Sequence, residues 1–263
     1  MMNKTFRWMI TLCWFLSIGY TANGQEPVYV TRYQQVGYGT TNILDTYLTQ
    51  EKFKGNGLSI LVSSERKKPS SNWSTLMHSQ LNLSTAKDRS GDKSEVEGAF
   101  NFLWGRLYRW QMLNGNLHLQ AGGMVNAGLG FIYNTANANN PAQARASLQL
   151  MPTGIASYTF PLWKHHVLMR YELNLPLVGV AFSPNYGQSY YEMFSLGNYD
   201  HNIVPTTFVA APYFRQHFTV AYPIYRTTML SLSYLGDYQQ LQVNHLKQHV
   251  LSHRLMVGLI KNF

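Results

Sequence analysis

Several residue groups in this 263-residue chain have the types that chemistry needs. Ser183, Ser189, Glu192, Ser195 and His201 share one stretch. A serine hydroxyl deprotonated by histidine, with an acid behind it, attacks esters and amides. Their spacing does not force convergence, and polar residues solvating a loop account for the same composition. Ser252 and His253 are neighbours, but on a strand they point to opposite faces. Asp200-His201 supplies half of a water-activating site. The aspartates, Asp45, Asp88, Asp92, Asp200 and Asp237, include no adjacent pair for the other half. His165-His166 has no Asp or Glu beside it, so no metal is expected. No glycine-rich loop follows a strand and opens a helix, and no cofactor is expected. These observations point away from an enzyme. A barrel hydrolase acting on lipid or peptide stays as the alternative.

The elements that must carry these residues alternate by twos. Leu58, Ile60 and Val62 oppose Ser59, Ser63 and Glu65, and Trp73, Met77, Leu81 and Leu83 oppose His78, Gln80 and Asn82. The last segment sets Leu255, Val257, Leu259, Lys261 and Phe263 against Arg254, Met256, Gly258, Ile260 and Asn262. Ten such stretches are expected, at 28–41, 57–66, 72–84, 95–109, 116–132, 145–160, 166–182, 204–222, 227–238 and 248–263. The pattern predicts an all-β fold, a transmembrane antiparallel β-barrel of about ten strands. Connections 67–71, 110–115, 161–165 and 223–226 are short and read as periplasmic. Those at 42–56, 85–94, 134–144, 183–203 and 239–247 are longer and read as external, which is the barrel polarity. Phe160-Pro161-Leu162-Trp163-Lys164 recurs as Tyr222-Pro223-Ile224-Tyr225-Arg226, setting an aromatic and a cation beside an inner turn.

Lys4 and Arg7 precede an apolar run from Trp8 to Tyr20, and small residues follow before Gln25. This reads as a cleaved signal peptide, residues 1–24, with the barrel occupying 25–263. Cys13 lies within the apolar run, so the exported part has no cysteine and must be held by burial and closure. Charged residues are only 13% of the chain, about half the ~25% of soluble domains, as suits a wall that meets lipid. Net charge is +9, yet no basic cluster extends beyond Arg66-Lys67-Lys68, so no nucleic-acid partner is expected.

Glu65, Glu97, Arg109, Arg145, Arg170, Glu172 and Arg215 fall on inward faces. Ten strands lie just above the ~8 whose interior side chains can fill, so these charges should pair across a narrow or occluded lumen. A small-solute pore is the third reading. The external loops concentrate aromatic side chains: Tyr47, Tyr133 with Asn134, then Tyr186, Tyr190, Tyr191 with Glu192, Phe194 and Tyr199. Such residues form a lid or a stacking surface, so these loops are the candidate binding or partner-docking site.

The closing strand ending on Phe263 resembles that of bacterial outer-membrane barrels, whose terminal aromatic is read by the barrel-assembly machinery. Asn42-Ile43-Leu44-Asp45-Thr46-Tyr47-Leu48, Tyr133-Asn134 through Asn139-Asn140-Pro141-Ala142, and Phe182-Ser183-Pro184 through Tyr186-Gly187-Gln188-Ser189-Tyr190-Tyr191-Glu192 resemble a Bacteroidota family of Gram-negative outer-membrane barrels of unknown function. The resemblance implies the cell outer membrane, with contact to lipid and lipopolysaccharide, and an outer-membrane protein as a candidate partner. It implies no activity.

Overall fold

The computed structural model describes residues 27–138 and 140–263; the expected signal peptide lies outside them. Twelve strands form one antiparallel sheet: β1 (Tyr29–Asp45), β2 (Phe53–Lys67), β3 (Trp73–Lys87), β4 (Ser94–Met112), β5 (Leu117–Asn134), β6 (Ala142–Leu162), β7 (His165–Asn174), β8 (Val178–Phe182), β9 (Ile203–Thr207), β10 (Phe214–Tyr225), β11 (Thr228–Val243) and β12 (Leu246–Asn262). Each of β1 to β7 pairs with its chain neighbour, β7 pairs with β10, and β12 returns to β1 from Thr31↔Asn262 to Asp45↔Gln248. The cylinder is therefore closed, with ten staves. β7 and β8 make one stave and β9 and β10 another, each interrupted.

The expected strands 166–182 and 204–222 are thus broken. Between Thr153↔Asn174 and Leu150↔Val178, three residues on one stave oppose two on the other, a bulge. Pro152 and Pro176 sit there without amide donors. Leu175 and Leu177 still donate to the carbonyls of Pro152 and Leu150 at 3.1 and 2.8 Å. The expected external loop 239–247 is also corrected. β11 and β12 run on to a two-residue turn, Asn244-His245, with φ of 52° and 60°. Gln239 to Val243 looked like loop because glutamines alternate with Leu241 and Val243. That polar-apolar alternation belongs equally to a strand. Asn42 to Asp45, expected in a loop, complete β1.

The alternation itself holds. Val36, Tyr38, Leu58, Ile60, Leu148, Leu150, Leu255 and Val257 are exposed on the outer face, while their strand neighbours turn inward and are mostly buried. In a barrel that spans a membrane, lipid covers such a face. The interior is less polar than expected. Leu76, Leu103, Leu107, Met124, Met151, Ile155 and Tyr213 form one buried cluster, and Leu61, Leu235 and Met256 form another. A lumen packed with side chains needs no water-soluble lining, so apolar residues serve there too.

Candidate functional site

Two constellations stand inside this cylinder: a charged network at its waist and a lid at the end carrying the long loop 183–202. Period-two alternation aims the first inward. Glu172 on β7 is its hub, within 2.9 Å of His78 on β3, 3.0 Å of Arg170 and 3.3 Å of Arg215 on β10. Arg170 reaches Glu65 on β2 at 3.6 Å and lies over the Tyr33 ring of β1. Gln120 of β5 donates to Glu65 at 2.9 Å. Gln80 accepts from Arg215 at 3.1 Å and donates to Asp237 of β11 at 2.7 Å. All these side chains are buried, and together they tie opposite walls through the barrel axis.

Of the inward charges expected from sequence, Glu65, Arg170, Glu172 and Arg215 do meet. Glu97 and Arg145 form a separate pair at 3.6 Å, nearer the lid. Arg109 stays apart and donates to the Ser71 and Lys68 carbonyls in the turn between β2 and β3, at 2.6 and 3.4 Å. Arg254 crosses from β12 to the hydroxyls of Ser59, Thr41 and Ser84 at 3.2, 2.6 and 3.0 Å. Asp237 and Gln80 were not singled out as network members, although their inward register was the available signal.

The waist also brings a serine, a histidine and an acid into line. Ser63 Oγ is 2.6 Å from His78 Nδ1, and His78 Nε2 is 2.9 Å from Glu172. This is the serine–histidine–acid sequence of a nucleophilic relay. Ser63 is only 4% exposed, however, and Glu172 is shared with two guanidinium groups. The loop serines behave differently. Ser183 donates to the Pro184 carbonyl, and Ser189 belongs to the capping box of helix α1 (Tyr190–Phe194) with Glu192. Ser195 is that helix's C-cap residue. His201 pairs with its neighbour Asp200 in the open. His165 lies edge-on to Tyr222, with ring centroids 5.3 Å apart.

The lid gathers the three sequence segments singled out above. Tyr47 donates its hydroxyl to the Gln188 carbonyl at 2.9 Å and meets Tyr190 edge-on at 5.9 Å. Tyr190 donates to Gln143 at 2.9 Å and accepts from the Ala144 amide at 2.6 Å. Burial pushes the Tyr190 phenol up and does the same for Tyr47, so both remain protonated donors. Asp45 accepts from the Tyr47 amide and from Gln248. Asn134 donates to Glu95 at 3.1 Å, and Asn202 donates to Gln188 at 2.6 Å. The Asn244 amide, at the hairpin tip, donates to the His201 carbonyl at 2.9 Å.

The candidate residues therefore divide, and Tyr133 and Asn134, expected in a loop, instead end β5, paired with Val96 and Glu95 of β4. Tyr47, Asn134, Tyr190 and Glu192 fasten the lid. Tyr133, Tyr186, Tyr191, Phe194 and Tyr199 face outward, with Tyr186 70% and Tyr199 61% exposed. Phe182, Tyr190, Phe194 and Tyr199 form a chain of ring contacts from the wall into the loop, at 6.5, 6.0 and 6.3 Å. At the opposite end of the barrel Phe263 pairs with Val30 through both backbone groups, and Arg32 and Lys261 lie over its ring.

A family model described as "Protein of unknown function (DUF3316)" matches residues 8–263. The chain belongs to that family. No curated protein sequence matches this DUF3316 chain. Among solved structures it is similar to the outer membrane protease OmpT from Escherichia coli, at 8% identity over 92% of this chain and 99% of that one, with a TM-score of 0.52. It also matches the translocator domain of the autotransporter NalP from Neisseria meningitidis, at 11% identity over 98% and 95%, with a TM-score of 0.41. The transport unit of the autotransporter AIDA-I from Escherichia coli gives 8% identity, 97% coverage of each chain and a TM-score of 0.42. At such identities the likeness concerns the fold alone. That fold is the closed antiparallel ten-stranded outer-membrane β-barrel.

Proposed function

We propose that this DUF3316 protein is a non-enzymatic integral protein of a Bacteroidota outer membrane, whose fastened lid offers an aromatic face to a glycan or an outer-membrane protein partner. Lipid and lipopolysaccharide surround the wall, and Phe263 serves as the assembly signal. The observation that carries the reading is the contrast within the lid. Its frame is hydrogen-bonded and largely buried, while Tyr186, Tyr191, Phe194 and Tyr199 stand exposed on it. Large exposed rings on a braced support mark contact surfaces, because binding needs little further ordering. The test is purification from native membranes of the wild type and of a Tyr191→Ser/Phe194→Ser/Tyr199→Ser variant. The variant should retain heat-modifiable migration and lose its companion protein or glycan. An unchanged companion would refute the docking face.

One observation favours the enzymatic alternative, the Ser63–His78–Glu172 order. Its enclosure argues for a structural role, since an acyl substrate must reach within about 3 Å of the nucleophile. A fluorophosphonate probe should leave the folded barrel unlabelled. Labelling at Ser63, abolished by Ser63→Ala, would replace the docking reading with a hydrolase.

A further inference from the structure

Near the lid the barrel wall is not closed by a ladder. β10 and β11 pair only as far as Phe214↔Tyr238. Beyond that point residues 239–243 of β11 pair with β12 alone, and β9 pairs with β8 alone. Among the described residues, the Gln242 amide donating to the Ala210 carbonyl at 2.8 Å spans the gap, and Asn244 clamps its rim. Pro205 occupies the open strand, where a missing donor is tolerated. The β8–β9 side of this region is mostly apolar on its outward face, with Val178, Val180, Ile203, Phe208 and Val209 exposed, the last 87%, while the β11 side presents Gln240 and Gln242. An apolar face beside an unpaired strand edge is unfavourable in hydrocarbon unless polar groups meet that edge.

Behind the gap lies a cavity of about 60 Å³. Ala181 and Ala211 line it from one lip, Gln240 and Leu241 from the other. Gln240 is on the outward face of β11 and exposed, so the cavity lining reaches the outer surface there. Asn101 and Asn126 line it from the far wall, 4% and 1% exposed, and Asn101 Nδ2 and Asn126 Oδ1 have no hydrogen-bond partner. One is a donor and the other an acceptor, the pairing that a hydroxyl satisfies at once. Arg145 gives its Nε to Gln248 and its Nη2 to Gln239, and Glu97 at 3.6 Å balances its charge, while its Nη1 has no hydrogen-bond partner and is a further donor for an uncharged hydroxylated head. The volume is enough for several waters or a small hydroxylated head group.

We propose that this seam binds a single-chain amphiphile with a neutral, hydroxylated head. The head rests on Asn101 and Asn126, and the chain leaves between β9 and β11 into the outer leaflet. The test uses the barrel in phosphatidylcholine nanodiscs with a photoactivatable 1-monoacylglycerol. Labelling should concentrate on β9, the segment 208–213 and β11, and Asn101→Leu should lower it about tenfold, the worth of a hydrogen bond or two. An Ala210→Cys/Gln242→Cys pair, in a described chain without other cysteines, should block labelling when oxidised and restore it on reduction. That reversal separates blockage from misfolding. A lysophosphatidate probe of equal chain length should label weakly. Uniform labelling around the wall, or labelling indifferent to the disulfide, would mean annular lipid only and overturn the site. Equal labelling by the phosphate-headed probe would overturn the neutral-head assignment.

Discussion

Glu172→Gln should destabilise the barrel by about 3–5 kcal/mol, read as urea unfolding in lipid vesicles. The change keeps the size of the side chain, so cavity formation contributes little. What it removes is the carboxylate that Arg215, Arg170 and His78 share. Arg215 is fully buried, and its hydrogen bonds to Gln80 and Asn174 solvate it without neutralising it. Removing one partner of a buried pair leaves the other charge uncompensated, and that penalty exceeds what the pair contributes net. Adding Arg215→Met should therefore recover part of the loss, because the two sites are coupled. The control is Lys93→Gln, whose pair with Glu51 is exposed on both sides and should cost less than about 1 kcal/mol. A cost for Glu172→Gln no larger than the control's would mean that the waist network carries no stability.

Gly57→Val should cost about 3 kcal/mol and reduce the yield of folded barrel. A Cβ at Gly57 would overlap Ser84 Oγ and lie 2.5 Å from the Leu83 carbonyl oxygen and 2.7 Å from Arg254 Nη2. The carbonyl belongs to the adjoining strand and cannot swing away. Arg254 could yield only by giving up its hydrogen bonds to Thr41 and Ser84 while still buried. Gly154→Val is the matched control, since a Cβ there meets nothing within 4 Å. Equal stability of the two valine variants would show that the space beside Gly57 is not needed.

The sequence made the barrel legible because lipid and lumen impose opposite demands on successive residues. Leu58-Ser59-Ile60 and Asn82-Leu83 announce their faces directly. The interruptions were not legible. Leu175-Pro176-Leu177 continues an apolar run, and only the extra residue opposite Met151 and Pro152 reveals the bulge. The hairpin at Asn244-His245 was hidden for the opposite reason, because Gln239, Gln240 and Gln242 look like solvent-facing loop. In the lid, the aromatic residues were visible but their roles were not. Whether a tyrosine braces or protrudes depends on partners such as Gln143 and Gln188, which lie far away in sequence from Tyr190 and Tyr47 respectively. The Ser63–His78 contact likewise arises from the cross-strand register Ser63↔His78, which no spacing along the chain announces.

The charged crosspiece at the waist has a consequence for the cell rather than for the molecule. Under the proposed reading, salt-bridged walls would leave dissolved ions no continuous water column, and each copy would behave electrically as a plug, so single-channel recording in a planar bilayer should show no conductance. A membrane could then hold many copies without leaking. Dosage would be limited by space and assembly rather than by damage to the permeability barrier.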